Sequence, residues 1–257
     1  MLNRFIGSVA IVTGAARGIG QACAVAFAAE GADVALVDIR EDLIESVADQ
    51  IRNEGGQATS LSCDVTKSDE IKGVVDQVTK MFGKIDILVN NAGIMRTTSP
   101  LEVITEEEWD LVLGVNLKSM FLFARVVLPI MRENGYGKIV NISSSAGRST
   151  SEFCGAHYTV SKTGVLGLTR HMAREYGHYG INVNSVCPAV VDTHGLREEL
   201  KKKEDAQAIL DALLPTIPLR RLGKPEEVAD LVLFLASQQA SYLTGATIDF
   251  TGGSLLL

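Results

Sequence analysis

"SVAIVTGAARGIG", Ser8–Gly20, is the stretch from which the fold of this chain can be read. Its first six residues are small or β-branched with little polar interruption, and Gly14, Gly18 and Gly20 follow just ahead of an amphipathic segment, Gln21–Glu30. A run that is apolar on both faces suits a central strand covered by helices on both sides. Glycines after such a strand permit a tight turn and let backbone N–H groups approach a pyrophosphate, to which the following helix N-terminus adds positive potential. An ordinary strand–helix turn uses the same residues, so the rest of the chain must decide.

Six further short runs of the same kind follow: "ADVALVD", "ATSLSCD", "KIDILVNN", "GKIVNIS", "INVNSVCP" and "ATIDFTGG". Helical patterns lie between them at Glu41–Asn53, Ser68–Phe82, Glu106–Arg132, Thr159–Tyr176 and Pro225–Ala236. Strand and helix alternate throughout, which predicts an α/β chain: a single doubly wound Rossmann-fold domain over 1–257, with a seven-stranded parallel sheet. Only Ala189–Lys224 breaks the rhythm, and it is expected to form a substrate loop or lid.

The 257 residues are 46% hydrophobic, enough for a sizeable core, and the net charge of -7 leaves no broad basic surface for nucleic acid. The one dense charge run, "LREELKKKEDAQ", mixes both signs at helical spacing and reads as a solvated face. Cys23, Cys63, Cys154 and Cys187 form no CxxC pair and are expected as reduced thiols. The four histidines show no metal-ligand spacing, so no metal is expected. No run of about 18 apolar residues and no signal-like N-terminus is seen, which leads us to expect a cytoplasmic protein with no membrane partner.

Asp38 closes the second strand, eighteen residues past Gly20. A carboxylate there can accept hydrogen bonds from the adenosine ribose hydroxyls and would repel the extra phosphate of NADP, which favours NAD. Arg17 and Arg40 are nearby groups that could bind that phosphate and so count against the preference. Asp64, in "CDVT", could reach the adenine edge or cap the next turn. Farther on, "YTVSK" sets Tyr158 and Lys162 at i and i+4, on one helix face with Cβ atoms about 5–6 Å apart.

The glycine spacing is GxxxGxG, and "NNAG" (Asn90–Gly93), Asn116 in "VNLKS", "NISSSAG" and "YTVSK" follow in that order. With these motifs the chain resembles the short-chain dehydrogenase/reductase family from Ser8 to Gly253. The resemblance implies that Tyr158 is the general acid/base, that Lys162 holds the nicotinamide ribose and that Asn116 keeps a water in the proton relay. It also implies a serine that binds the substrate oxygen. Strand register selects Ser144 and the commonest spacing back from the tyrosine selects Ser145; we adopt Ser144, with Ser143 the third member of the triplet. The implied cofactor contacts are Gly14, Arg17, Gly18, Ile19, Gly20, Asp38, Asp64, Val65, Asn91, Ala92, Gly93, Tyr158, Lys162, Pro188, Val191 and Thr193. Ala189 stands where the family usually has glycine, which is tolerable if its φ is negative. An ammonium about 4 Å from the phenol, at an effective dielectric of about 20, is worth on the order of 4 kcal/mol, and the expected result is a Tyr158 pKa lowered towards neutrality.

Substrate selection is expected from Met95, Arg96, Arg148, Glu152, Phe153, His157, His194 and Leu196, several of them hydrogen-bonding groups that suit a polyhydroxylated small molecule better than a steroid or long acyl chain. The leading expectation is therefore an NAD-dependent oxidoreductase of a sugar, polyol or other small secondary alcohol. The alternative is an NADPH-dependent 3-oxoacyl-carrier reductase, with Arg132 and Arg174 as a docking patch for its acidic carrier. A non-catalytic dinucleotide sensor is a remote third. The resemblance further implies a homotetramer, built through Glu106–Arg132, Thr159–Tyr176 and the apolar tail "GGSLLL".

Overall fold

The computed structural model describes residues 3–97, 100–151, 153–201 and 205–256, the side chain of Glu199 excepted. These form one parallel sheet from β1 (Val9–Thr13), β2 (Asp33–Asp38), β3 (Gln57–Ser62), β4 (Ile87–Asn90), β5 (Gly137–Ile142), β6 (Ile181–Pro188) and β7 (Thr247–Phe250), in the order β3-β2-β1-β4-β5-β6-β7. The strand order reverses between β1 and β4, and at such a switch point the crevice beyond the carboxyl ends of the strands is open to a ligand.

Successive residues of each strand feed two cores, as the twofold period of a strand requires. Ala10, Val12, Val34, Leu36, Val89 and Val140 pack beneath α1 (Gly18–Ala29), α2 (Glu41–Asn53) and α9 (Pro225–Ala236), whose Phe27, Ile44 and Val232 are fully buried. Val9, Ile11, Ala35, Val37, Leu88 and Ile139 face the other way, onto α3 (Ser68–Phe82), α5 (Ser119–Asn134) and α6 (Ala156–Tyr176) through Val75, Phe123, Val127 and Met172. This double covering is why the strands read as apolar runs without alternation.

Four boundaries differ from expectation. α1 begins at Gly18 and α6 at Ala156, each three residues early, so that Tyr158 and Lys162 lie in the first two turns of α6. β3 ends at Ser62 and leaves Asp64 in the following turn. The expected Glu106–Arg132 helix is two helices, α4 (Glu106–Leu113) and α5, joined without a break by a π turn, Gly114–Lys118. By length and mean hydropathy, Glu106–Asn134 passes as apolar enough to cross a membrane, as a core helix also can; half of its apolar window is buried inside the fold. The insertion after β6 holds α7 (His194–Lys201) and α8 (Ala206–Leu213), and a bridge between Val191 and Gly223 closes its base.

Candidate active site

The glycine turn is held from beneath by the loop that leaves β4. Asn91 donates its side-chain amide to the carbonyls of Thr13 (2.9 Å) and Gly14 (3.1 Å), and the N–H groups of Asn91 and Ala92 both donate to Thr13 Oγ1. A Cβ on Gly20 would lie 2.2 Å from the Gly14 carbonyl oxygen, so α1 can approach the turn only with glycine there. Gly14 and Gly18 take φ of +66° and +60°. Arg17 precedes α1 without a side-chain cap, and the first turn carries no acidic residue, so the opening N–H groups are left to face an anion.

Asp38 lies buried at the end of β2 and accepts from the backbone N–H of Ala16 (3.3 Å) and Arg40 (3.1 Å). Its two oxygens also receive Arg40 Nε (3.1 Å) and Nη2 (3.2 Å), so this arginine is engaged by the carboxylate it was expected to oppose. Arg17 likewise pairs with Glu198 of α7. Asp64 takes the capping alternative: its Oδ1 accepts from the N–H (2.9 Å) and Oγ1 (2.7 Å) of Thr66. Val65 and Val191 are buried and Ile19 half-buried, while Pro188 ends β6. Ala189 is absent from the residues of positive φ, so its methyl group is accommodated. Thr193 accepts the N–H of Leu196 at the start of α7 and faces Gly18, where a Cβ would meet its methyl group at 3.5 Å.

Across the crevice, Lys162 is 4% exposed and donates to the Ile142 carbonyl at 3.0 Å. Gly93 ties this lysine to Asn116: a Cβ there would stand 3.4 Å from Asn116 Oδ1 and 3.5 Å from Lys162 Nζ. Asn116 is fully buried in the π turn, accepts from Ile94 N–H (2.8 Å), and donates to Ile94 O (3.0 Å) and Ser161 Oγ (3.2 Å). Single π turns inside α-helices recur at functional sites, and here one carries this inward-facing amide.

The serine triplet divides its work. Ser143 donates to the Lys162 carbonyl at 2.7 Å, Ser144 accepts the Ala146 N–H at 3.1 Å and lies beside the Tyr158 side chain, on which it acts to lower the pKa, and Ser145 opens the short helical turn Ser145–Gly147. The structure thus brings Ser144 to Tyr158, as strand register implied. Close packing of α6 makes this possible, since a Cβ on Gly147 would lie 2.6 Å from the Lys162 carbonyl oxygen.

The electrostatics overturn one expectation. Burial pushes the Tyr158 phenol up to about 12, against the opposing Ser144 bond, and pulls Lys162 down to about 8. Lys162 Nζ sits over the Tyr158 ring, 5.7 Å from its centroid, and donates to the Ile142 carbonyl; desolvation, and not attraction to this ammonium, sets the direction of the phenol's shift.

Substrate-side expectations fare unevenly. Met95 and Leu196 are half-buried, and Arg96 and Phe153 are exposed; the Arg96 carbonyl accepts from Gly155 N–H at 3.1 Å, which joins two of the loops. Arg148 instead donates to Asp249 of β7 at 3.2 Å, and His194 pairs with Glu198. His157 is fully buried and turned away from the crevice, onto Glu108. Glu152 lies outside the described residues. Sequence reasoning missed Glu108, Ser161 and Cys154, the last of which couples electrostatically to both Tyr158 and Lys162. Ser161 was inside the quoted "YTVSK", and Glu108 stood in the capping pattern Thr105-x-x-Glu108.

The uncapped α1 turn, the buried Asp38 and the Gly93–Lys162 juncture make a donor set that fits a nicotinamide dinucleotide. A family model described as enoyl-(acyl carrier protein) reductase matches residues 14–254. Among curated relatives, the 3-oxoacyl-[acyl-carrier-protein] reductase FabG of Thermotoga maritima is 41% identical over 253 residues, covering 98% of this chain and 100% of that one. Among solved structures, levodione reductase superimposes with a TM-score of 0.94 at 35% identity (97% of this chain, 98% of that one). A short-chain type dehydrogenase/reductase from Mycobacterium marinum gives 0.91 at 36% identity (100% and 98%). Fold, motif order and relatives agree: the chain belongs to the short-chain dehydrogenase/reductase family and is a nicotinamide-dinucleotide-dependent oxidoreductase of CH–OH groups.

Proposed function

We propose that the enzyme interconverts a small hydroxylated secondary alcohol, a sugar or polyol by preference, and its ketone, with NAD as cofactor. The observation that carries the reading is the convergence of Tyr158 and a buried Lys162, whose Nζ lies 5.7 Å from the Tyr158 ring centroid, with Ser144 beside the phenol, at the carboxyl ends of the strands. The nicotinamide, when bound, supplies or accepts the hydride. Ser144 holds the substrate oxygen, and Tyr158 gives it a proton during reduction or takes one during oxidation. Because the phenol stays protonated well above neutral pH, the ligand-free enzyme is set to donate. Lys162, which meets the Asn116 amide at Gly93, holds the nicotinamide ribose and carries that proton onward through a water kept by Asn116. Asp38 reads the adenosine ribose, and its grip on Arg40 withholds the guanidinium from a 2′-phosphate; Glu198 does the same to Arg17. The glycine turn and Thr193 complete the cofactor side.

We further read residues 1–257 as one domain, with 189–224 as the loop over the substrate, and the assembly as a homotetramer. Leu111, Phe121 and Val160 stand exposed on α4, α5 and α6, the elements the family uses for assembly.

A carrier-linked 3-oxoacyl reductase remains the second reading, favoured by the FabG relative. Against it, Arg174 stands sixteen residues along α6 from Tyr158, about 24 Å at helical rise, and Arg132 is stacked on Tyr179. The deciding experiment follows nicotinamide absorbance with NAD or NADP and xylitol, sorbitol, cyclohexanol or a 3-hydroxybutyryl thioester. Turnover of an alcohol with NAD is expected; turnover of the thioester alone, with NADP, would overturn the proposal.

A further inference from the structure

Both ends of the Tyr158 peptide are tied to the rod formed by α4 and α5. At one end, the Tyr158 carbonyl accepts from Ser161 Oγ (2.7 Å), which in turn accepts from Asn116 in the π turn (3.2 Å). At the other, the Tyr158 N–H is shared between the Gly155 carbonyl at 3.1 Å and His157 Nδ1 at 2.8 Å, and the same imidazole reaches Glu108 Oε1 through Nε2 at 2.8 Å. Since Nδ1 accepts, its lone pair is committed and the ring proton resides on Nε2, from which it is donated to the carboxylate. Glu108 is fixed in turn by the start of α4, where Thr105 Oγ1 accepts its N–H at 3.2 Å. α6 has no side-chain cap at Gly155, and the His157 ring adds a second acceptor to its opening turn beside the Gly155 carbonyl. The ring is fully buried, touches neither Ser144 nor Lys162 by hydrogen bond, and takes no part in the proton path above.

We propose that His157 and Glu108 are positioning residues for the reaction: an imidazole–carboxylate arm that fixes the backbone of Tyr158 against α4, as Ser161 and Asn116 fix it against the π turn. The inference rests on the reading of Tyr158 as the proton carrier. Reaction rates are steep in placement, a displacement of about 1 Å costing up to about a hundredfold, so a small rotation of the first turn of α6 is expected to slow turnover without weakening binding.

The test uses His157→Leu, Glu108→Ala, Glu108→Gln and the double variant H157L/E108A, with NAD and cyclohexanol as substrates, NADH binding by fluorescence and the thermal midpoint of each protein. His157→Leu and Glu108→Ala are expected to lower kcat about tenfold, with KM and the NADH Kd within about twofold of the parent. Glu108→Gln, whose amide oxygen still accepts from Nε2–H, recovers most of the rate, and the double variant is no slower than either single one. A merely structural pair would lower the thermal midpoint and leave kcat per folded molecule intact; that result, or losses that multiply in the double variant, overturns the inference. Should His157→Leu not fold, the two Glu108 variants decide: Ala slow with Gln restored supports the arm, and both at the parental rate refute it. Tyr158→Phe separates the two readings. If it turns over normally, the assignment of Tyr158 falls and the arm with it; if it is inactive while His157→Leu and Glu108→Ala run at full rate, only the arm falls.

Discussion

Lys162 is an ammonium stripped of water, with the Ile142 carbonyl as acceptor and its pKa down at about 8. Its unfolded counterpart titrates near 10.4, so the native state sheds the proton first and folding is penalised below about pH 8. Replacing it as Lys162→Met should therefore stabilise the fold most at pH 6 to 7. The advantage should shrink as pH rises from about 8 towards 10, where the native lysine becomes neutral at no cost. Urea midpoints of both proteins at pH 6.5 and 9.5 check the sign, and an advantage that grows with pH would refute it. Tyr158→Phe is expected to reduce turnover by at least about a hundredfold while the NADH Kd stays within about twofold, because the hydroxyl serves proton transfer. Asp38→Ala removes the carboxylate and releases Arg40, so NADP binding relative to NAD should improve about tenfold, measured by titration against each reduced cofactor. An unchanged ratio would mean that another group reads the ribose. These roles were legible because residue type and spacing carry them. The direction of the Tyr158 shift was not, since spacing alone does not say whether an ammonium faces a phenol's oxygen or its ring.

At the level of elements, the π turn that joins α4 to α5 carries Asn116, whose amide serves both backbone polar groups of Ile94. Asn116→Ala should cost about 1–3 kcal/mol, from the two groups left without partners, and lower the thermal midpoint accordingly. A midpoint within one degree of the parent would show that the loop after β4 is held by other means. The early start of α6 is likewise tertiary in origin. Gly155 at the N-cap has no side chain with which to mark a helix start, and the first turn is held by the bond from His157 to Glu108 and by the packing of Gly147 against Lys162, contacts between distant segments. That is why periodicity located the middle of α6 and missed its beginning.

Across the whole molecule, the reversal of strand order beside β1 opens a crevice into which the ends of β1, β4, β5 and β6 all point, so motifs spread from Gly14 to Thr193 meet at one site. The insertion is tied to the glycine turn by Arg17 and Glu198, an exposed pair whose contribution to stability is small. Exposed Leu111, Phe121 and Val160 lie on neighbouring helices. Light scattering at micromolar concentration should give four times the 27.5 kDa chain mass, and Phe121→Arg should lower it. A monomeric mass for the parent would refute the tetramer.

By itself the sequence determined the sheet, its parallel sense, the order of the motifs and the identity of Tyr158, Lys162, Asn116 and Asp38 as candidates, because strand burial and glycine turns leave local patterns in residue type. Only the tertiary structure decided which serine meets Tyr158, that His157 turns from the crevice to Glu108, that Arg40 is held by Asp38, and that burial raises the phenol instead of lowering it. Each of these depends on how far apart two side chains lie in space and how much water remains between them, and no spacing along the chain encodes either quantity.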